Sequence, residues 1–331
     1  MEQGLTYDDV LLIPGFSSIA SRSEVDLSVD LGKGIKFKLP IISANMKHVT
    51  GVEMASAMAA AGGLGLLHRF NTIDEQVADF KKIVGLSGAS VGIKPEDKDR
   101  VKALIEAGCS IICIDIAHGH SQGCLDMAKW ISWEYPDVLL IAGNVATASG
   151  AYALAEAGVD VVKVGIGGGS ICSTRIETGN GVPMVTSLKW VFGEACDNFG
   201  YAANRKFKII ADGGIREGGD VVKALCLSDA VMVGNLLART EESPGDRIEK
   251  DGVLYKSYHG SSTHKNSRVE GVKTLLPVEG KASDVLQWLS EGLQSGCSYQ
   301  GAKNLEELKI RGKFIRITPQ GLLESRPHSL S

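Results

Sequence analysis

The chain has 331 residues, 44% of them hydrophobic, with a net charge of −4 and a pI near 6.0. That length and apolar content can build a large core, while the acidic balance leaves no basic footprint for nucleic acid or an anionic membrane surface. The opening MEQGLTYDDVLL has no basic stretch leading into an apolar one, and no run approaches the ~18 apolar residues of a membrane span, so a soluble, cytoplasmic protein is expected.

Residues 1–40 read as a lead-in, with a turn at Pro14-Gly15, an alternating stretch near 24–30 and polar punctuation at Gly32 and Gly34. Eight short apolar segments with strand character follow: Ile41–Met46, Gly63–His68, Ala89–Ile93, Ile111–Ile116, Leu139–Val145, Val161–Ile166, Lys208–Gly214 and Ala230–Asn235. Their starts lie 22, 26, 22, 28, 22, 47 and 22 residues apart, room for one strand and one helix per unit. Between them, Gly51–Ala61 is alanine-rich, and Thr72–Val84 has Glu75 three residues after Thr72, a capping-box pattern. Pro95–Ala107 opens on proline and acids and closes at Gly108. Gln122–Trp133, Ala148–Ala157, Ser187–Asp197 and Glu217–Leu227 continue the alternation. Eight such units at a nearly fixed period predict a (β/α)8 TIM barrel, with a doubly wound sheet as the alternative. Beyond them, Thr240–Asp251 is charged, Val253–Tyr258 strand-like, Gly260–Glu270 polar, Ser283–Ser295 helical and Phe314–Ser331 a strand-like tail, with no sign of a second domain.

In a barrel, ligand chemistry belongs to the loops that leave the C-terminal ends of the strands. The most unusual of these lies in VVKVGIGGGSICSTR at 161–175, where a β-branched run passes into four glycines within five residues, then Ser170, Cys172, Thr174 and Arg175. Such a loop can cradle an anion on exposed N–H groups, and it can equally be only a tight turn. Cys172 is accordingly a candidate nucleophile or an inert loop thiol. The seven cysteines (109, 113, 124, 172, 196, 226 and 297) are scattered and include no CxxC, which reads as reduced thiols without a structural zinc. Cys109, Cys113 and Cys226 lie in apolar runs as buried fillers, which singles out Cys172. His118 and His120 have no carboxylate or cysteine beside them to complete a metal set, and no GxGxxG opens a βαβ unit.

Several stretches are more specific in combination. TYDDVLLIP (6–14), ANM (44–46), AGN (142–144), KVGIGGGSICSTR (163–175), ADGGI (211–215) and EESPG (241–245) resemble the inosine-monophosphate dehydrogenase / guanosine-monophosphate reductase family over essentially the whole chain. LHRF (67–70), ASVGIKPED (89–97), IDIAHGHS (114–121) and Tyr258–Gly271 are most similar to the bacterial GMP reductases. Dehydrogenases of the family usually insert paired CBS modules after the second strand, whereas Phe70 to Gly88 leaves room for one helix. They also carry a flap whose Arg-Tyr pair activates water, and here Arg268 is followed by valine. Three features depart from the family pattern: Gly168 stands where proline is usual, Lys47 where an acid or amide is common, and the tail GLLESRPHSL (321–330) is more like a dehydrogenase.

The resemblance implies an NADPH-dependent GMP reductase, converting GMP to IMP and ammonia, in one barrel domain without a CBS insertion. The alternative is an NAD-dependent IMP dehydrogenase lacking the CBS modules and the flap; a third reading is a catalytically silent nucleotide sensor. Family positions assign Cys172 to attack on purine C2 and Thr174 with Glu270 to proton handling. They assign Ser170, Gly213, Gly214, Gly234, Asn235 and Tyr258 to the phosphate, Asp212 to the ribose hydroxyls, and Met46, Ser261 and Glu270 to the base. Asp115, Ala117 and Asn144 match positions that hold the nicotinamide end of the cofactor. A K+ site on the carbonyls of Gly165, Gly167 and Cys172, and a homotetramer, follow from the resemblance alone.

Overall fold

Strands rich in Val, Ile, Leu and Ala have no face suited to water, and here they bury both by closing on one another. A computed structural model describes residues 2–197, 206–260 and 271–327, the side chains of 194–197 excepted. Its eight barrel strands are β1 (Ile41–Ser43), β2 (Leu64–Leu67), β3 (Ser87–Val91), β4 (Ile111–Asp115), β5 (Leu139–Val145), β6 (Val161–Val164), β7 (Lys208–Asp212) and β8 (Ala230–Val233). They pair in parallel in chain order, and β8 returns to β1 through Val231↔Ile41 and Val233↔Ser43. The ring is a closed TIM barrel, and the doubly wound alternative is excluded. Most strands stop short of their expected ends, so Ala44–Met46 and Gly213-Gly214 leave the ladder as loops on the C-terminal rim, and Gly234 leads into a short helix, Asn235–Ala238.

The expected helices surround the ring. Thr72 caps helix Ile73–Lys82, accepting from the Glu75 N–H at 3.2 Å, while the Glu75 carboxylate accepts from the Thr72 N–H at 2.8 Å. The long sixth interval holds a short helix, Thr174–Thr178, and then Met184–Asp197, which begins before its expected start at Ser187. Between Val29–Gly32 and Ile35–Phe37 the chain turns through Lys33 (φ 48°) and Gly34 (φ 78°), a left-handed hairpin turn that accounts for the glycine punctuation.

Two expectations need correction. The helix expected over Ser283–Ser295, beyond the barrel units, is Ala282–Gln300, and it belongs to the ring: it packs against helices Val52–Ala60 and Gly218–Leu225 and occupies the eighth helical position. Its approach to Gly218–Leu225 depends on facing glycines, because a Cβ on Gly218 would stand 3.1 Å from the Gly292 Cα. What separates it from β8 is an inserted antiparallel sheet of Arg247–Lys250, Val253–His259 and Lys273–Pro277, of which only the middle strand was expected. The tail is strand only over Phe314–Arg316, paired with Val10–Leu12. It then turns helical over Pro319–Glu324, because the Thr318 hydroxyl accepts from the Gly321 N–H and Pro319 suits the first turn.

Cys109, Cys113 and Cys226 are buried as expected, and burial pushes the Cys109 and Cys113 thiols up to about 12. Among the described cysteines only Cys172 is partly exposed. No helix of the described residues is long and apolar enough to cross a membrane.

Candidate active site

The loops on the C-terminal rim enclose two adjoining cavities. The larger, about 640 Å³, is bounded by Met46, Gly167–Ser170, Asp212–Gly214, Gly234, Asn235 and Tyr258. The smaller, about 200 Å³, is bounded by Asn45, Arg69, Asp115–Ala117, Asn144, Lys163, Cys172 and Thr174. Asp212 and Met46 border both. The fold therefore gathers the six residues expected at the phosphate around one cavity, and those expected at the nicotinamide around the other, with Cys172 and Thr174. Ser261 and Glu270 lie outside the described residues.

The β6 exit loop is shaped by close approach. Gly165 has φ 147°, and a Cβ there would lie 2.1 Å from the Asp212 carbonyl oxygen, so only glycine lets the β6 and β7 loops meet. The Cys172 N–H donates to Gly169 O at 3.1 Å and its thiol to Thr174 Oγ1 at 3.2 Å. The Val272 N–H donates to Ile171 O at 3.0 Å, and Gly260 lies against Gly271. Val272 is thus tied to the cysteine loop, with Gly260 brought alongside Gly271. Tyr258 is buried, its hydroxyl 3.9 Å from Met46 Sδ; burial raises its phenol, opposed by a hydrogen bond with Ser170. The lead-in also reaches this rim. Asp8 takes both terminal guanidinium nitrogens of Arg216, and Lys223 Nζ donates to Tyr7 O at 2.9 Å, which makes the TYDD segment a wall of the larger cavity.

Sequence reasoning missed the group at the centre of the site. Lys163, 2% exposed on β6, donates to Asp115 Oδ1 at 2.9 Å, Asp212 Oδ2 at 3.2 Å and Asn45 Oδ1 at 3.3 Å. Burial opposes its charge, but Asp115 and Asp212 outweigh burial and raise the ammonium above its ordinary value. Burial likewise pushes Asp115 up, and the Lys163 charge and hydrogen bond, with Asn45 and Arg69, hold it below its usual range nonetheless. Asn144 completes the array, Nδ2 donating to Asp212 Oδ2 and to Gly165 O, each at 2.8 Å. Both bonds to Asp212 fall on Oδ2. The Asn144 bond also occupies one of the two lone pairs on Gly165 O, the first of the carbonyls expected at a K+ site. The signal for Lys163 was legible: a lone lysine inside a strand otherwise made of valines has no apolar use there. Arg69, present in the sequence analysis only within LHRF (67–70), also belongs here: its Nε donates to Asp115 O at 3.1 Å and it borders the smaller cavity.

A model of the IMP dehydrogenase / GMP reductase domain matches residues 4–328. The chain belongs to that family. It is 42% identical over 316 residues to a GMP reductase of Streptococcus agalactiae, covering 92% of each chain. It is 36% identical over 402 aligned positions to an inosine-5'-monophosphate dehydrogenase of Borreliella burgdorferi, covering 99% of this chain and 98% of the other. A crystal structure of a Trypanosoma brucei GMP reductase in complex with guanosine 5'-monophosphate superposes with a TM-score of 0.92 at 29% identity, covering 100% of this chain and 99% of that one. As an IMP dehydrogenase / GMP reductase family member the protein is an oxidoreductase of purine metabolism that works with a nicotinamide cofactor.

In this family member the rim also carries crowded histidines. His48 is buried with its ring centroid 3.6 Å from that of His259, and burial, then His259 and Lys47, push it down to about 4. Burial and Lys47 push His68 down to about 4 as well, against the pull of Asp79. Folded, both rings stay neutral at pH values where the unfolded chain protonates them. The stability they contribute is therefore complete above about pH 6.5 and lost as pH falls towards about 4. Thermal unfolding across that window should take up as many as two extra protons, and His48→Asn should flatten the decline in Tm; an unchanged slope would remove His48 from this account.

Proposed function

We propose that the protein is a GMP reductase that uses NADPH to convert GMP to IMP and ammonia through a covalent Cys172–purine intermediate. The observation that carries this reading is the position of Cys172, on the wall of the smaller cavity beside Asn144 and Asp115, with Asp212 common to both cavities. A nucleotide whose phosphate lies at Ser170, Gly213, Gly214, Gly234, Asn235 and Tyr258 and whose ribose meets Asp212 would carry its base past Met46 towards the thiol. The Cys172 thiolate attacks purine C2, the bond from C2 to the exocyclic nitrogen breaks, and ammonia leaves. Thr174, already bonded to Sγ, passes the proton that this departure needs, in partnership with Glu270. The smaller cavity suits a nicotinamide ring held by Asp115, Ala117 and Asn144, which would supply hydride to C2. The C2–S bond then breaks and the thiolate returns.

Reduction is favoured over hydrolysis by two features. Between β2 and β3 stands one helix, Ile73–Lys82, with no inserted module, and Arg268-Val269 lacks the pair that would activate water. The same reading takes the enzyme as a cytoplasmic homotetramer. Absorbance of NADPH should fall when GMP is added. A rise with NAD and IMP would identify the dehydrogenase instead, and no change with either pair would leave a silent nucleotide-binding barrel.

A further inference from the structure

Among the residues bordering the larger cavity, Asn235 is the one side chain whose chemistry depends on which way round it is held. Its amide nitrogen would attract a phosphate and its carbonyl oxygen would repel one. The structure supplies an orienting partner: Arg239 Nε lies 3.2 Å from Asn235 Oδ1, and both residues border the cavity. A guanidinium only donates, so the atom it meets has to be the oxygen, and the NH2 end turns the other way.

Arg239 is itself held at both ends of the residue. Its Nη1 donates to Glu279 Oε1 at 2.6 Å, and its backbone carbonyl accepts from the Glu279 N–H at 2.8 Å. With side chains 30% and 54% exposed, an ion pair of this kind adds little to stability, so its geometric effect on Asn235 is its principal one. Glu279 also offsets the guanidinium charge, so the cavity gains an oriented donor without an unpaired cation.

We propose that Arg239 is a positioning residue for specificity: by fixing the Asn235 amide it makes the larger cavity select a phosphorylated nucleoside over the same nucleoside without phosphate. The assignment rests on the reading that this cavity takes a purine nucleotide. Calorimetric titration of the full-length protein, without cofactor, with GMP, IMP, guanosine and inosine tests both separately. If the wild-type protein binds neither nucleotide, the nucleotide reading fails and this proposal with it. If it binds them, Arg239→Met should weaken nucleotide binding by about tenfold to a hundredfold and nucleoside binding by less than about twofold. In an Asn235→Ser background, whose hydroxyl can donate whichever way it is approached, Arg239→Met should change nucleotide binding by less than about twofold. Equal losses for nucleotide and nucleoside would overturn the proposal, as would an undiminished loss in the Asn235→Ser background, which would mean direct contact. Should Arg239→Met not fold, Arg239→Ala replaces it, with the same selective loss of nucleotide affinity expected and the same loss of effect in the Asn235→Ser background; unchanged selectivity there overturns the proposal too.

Discussion

Cys172→Ala is expected to abolish turnover of GMP, by a factor on the order of 10⁴ or more in kcat, because a covalent route has no substitute nucleophile at this position. Among the described residues no other cysteine borders either cavity, and Cys109, Cys113 and Cys226 are buried thiols whose pKa values burial raises. Stability should hardly move, within about 0.5 kcal/mol, since the side chain is partly exposed and its hydrogen bond is to the hydroxyl of Thr174, two residues on. GMP affinity should also survive, because the residues read as holding phosphate and ribose are on other atoms of the rim. The measurements are steady-state NADPH oxidation, thermal unfolding and GMP titration on one preparation. Full turnover by the variant would end the covalent mechanism; loss of GMP binding together with activity would show that the loop, and not the sulfur, had been damaged.

Lys163→Met should produce the largest loss of stability, about 3–5 kcal/mol, the usual consequence of removing one partner from a buried ion pair. Asp115 and Asp212, with side chains 19% and 21% exposed, would be left facing one another across the space the ammonium had filled. Two carboxylates in that position cannot both stay ionised readily, so one of them holds a proton to higher pH. The sign of the pH dependence follows. In the wild-type protein Asp115 is held below its ordinary range, so its contribution is present at neutral pH and disappears as pH falls through its folded value. In the variant a carboxyl is raised, so that the folded form binds the extra proton and mild acid stabilises it relative to neutral pH. Denaturant unfolding between neutral and mildly acidic pH distinguishes the two. Lys163→Met/Asp115→Asn should recover a large part of the loss by removing the unpaired charge. If the double variant is no more stable than the single one, packing and not charge is what Lys163 supplies.

How far the sequence carried these conclusions varies along the chain. The barrel was legible because each βα unit is built from local information: a β-branched run, a cap such as Thr72 with Glu75, a stop such as Gly108, all repeated at a near-constant interval. The cysteine loop was legible for the same reason, since four glycines within five residues interrupt a β-branched run, and Gly165 (φ 147°) and Gly167 (φ 82°) do take up left-handed backbone. Sequence alone predicted the barrel ahead of a doubly wound sheet, pointed to the rim loops for the site, and set Cys172 apart from Cys109, Cys113 and Cys226. Tertiary structure decided what depends on residues far apart in the chain. Helix Ala282–Gln300 could be recognised as a helix, but its place as the eighth of the ring depends on its seat against Val52–Ala60 and Gly218–Leu225. Lys163 becomes the centre of the site only when β4 and β7 bring Asp115 and Asp212 to it from 48 and 49 residues away. Arg239 acquires a task only when the inserted sheet delivers Glu279. Periodicity and capping are properties of neighbours in sequence, whereas a buried charge is paid for by neighbours in space, and no local pattern specifies which those are.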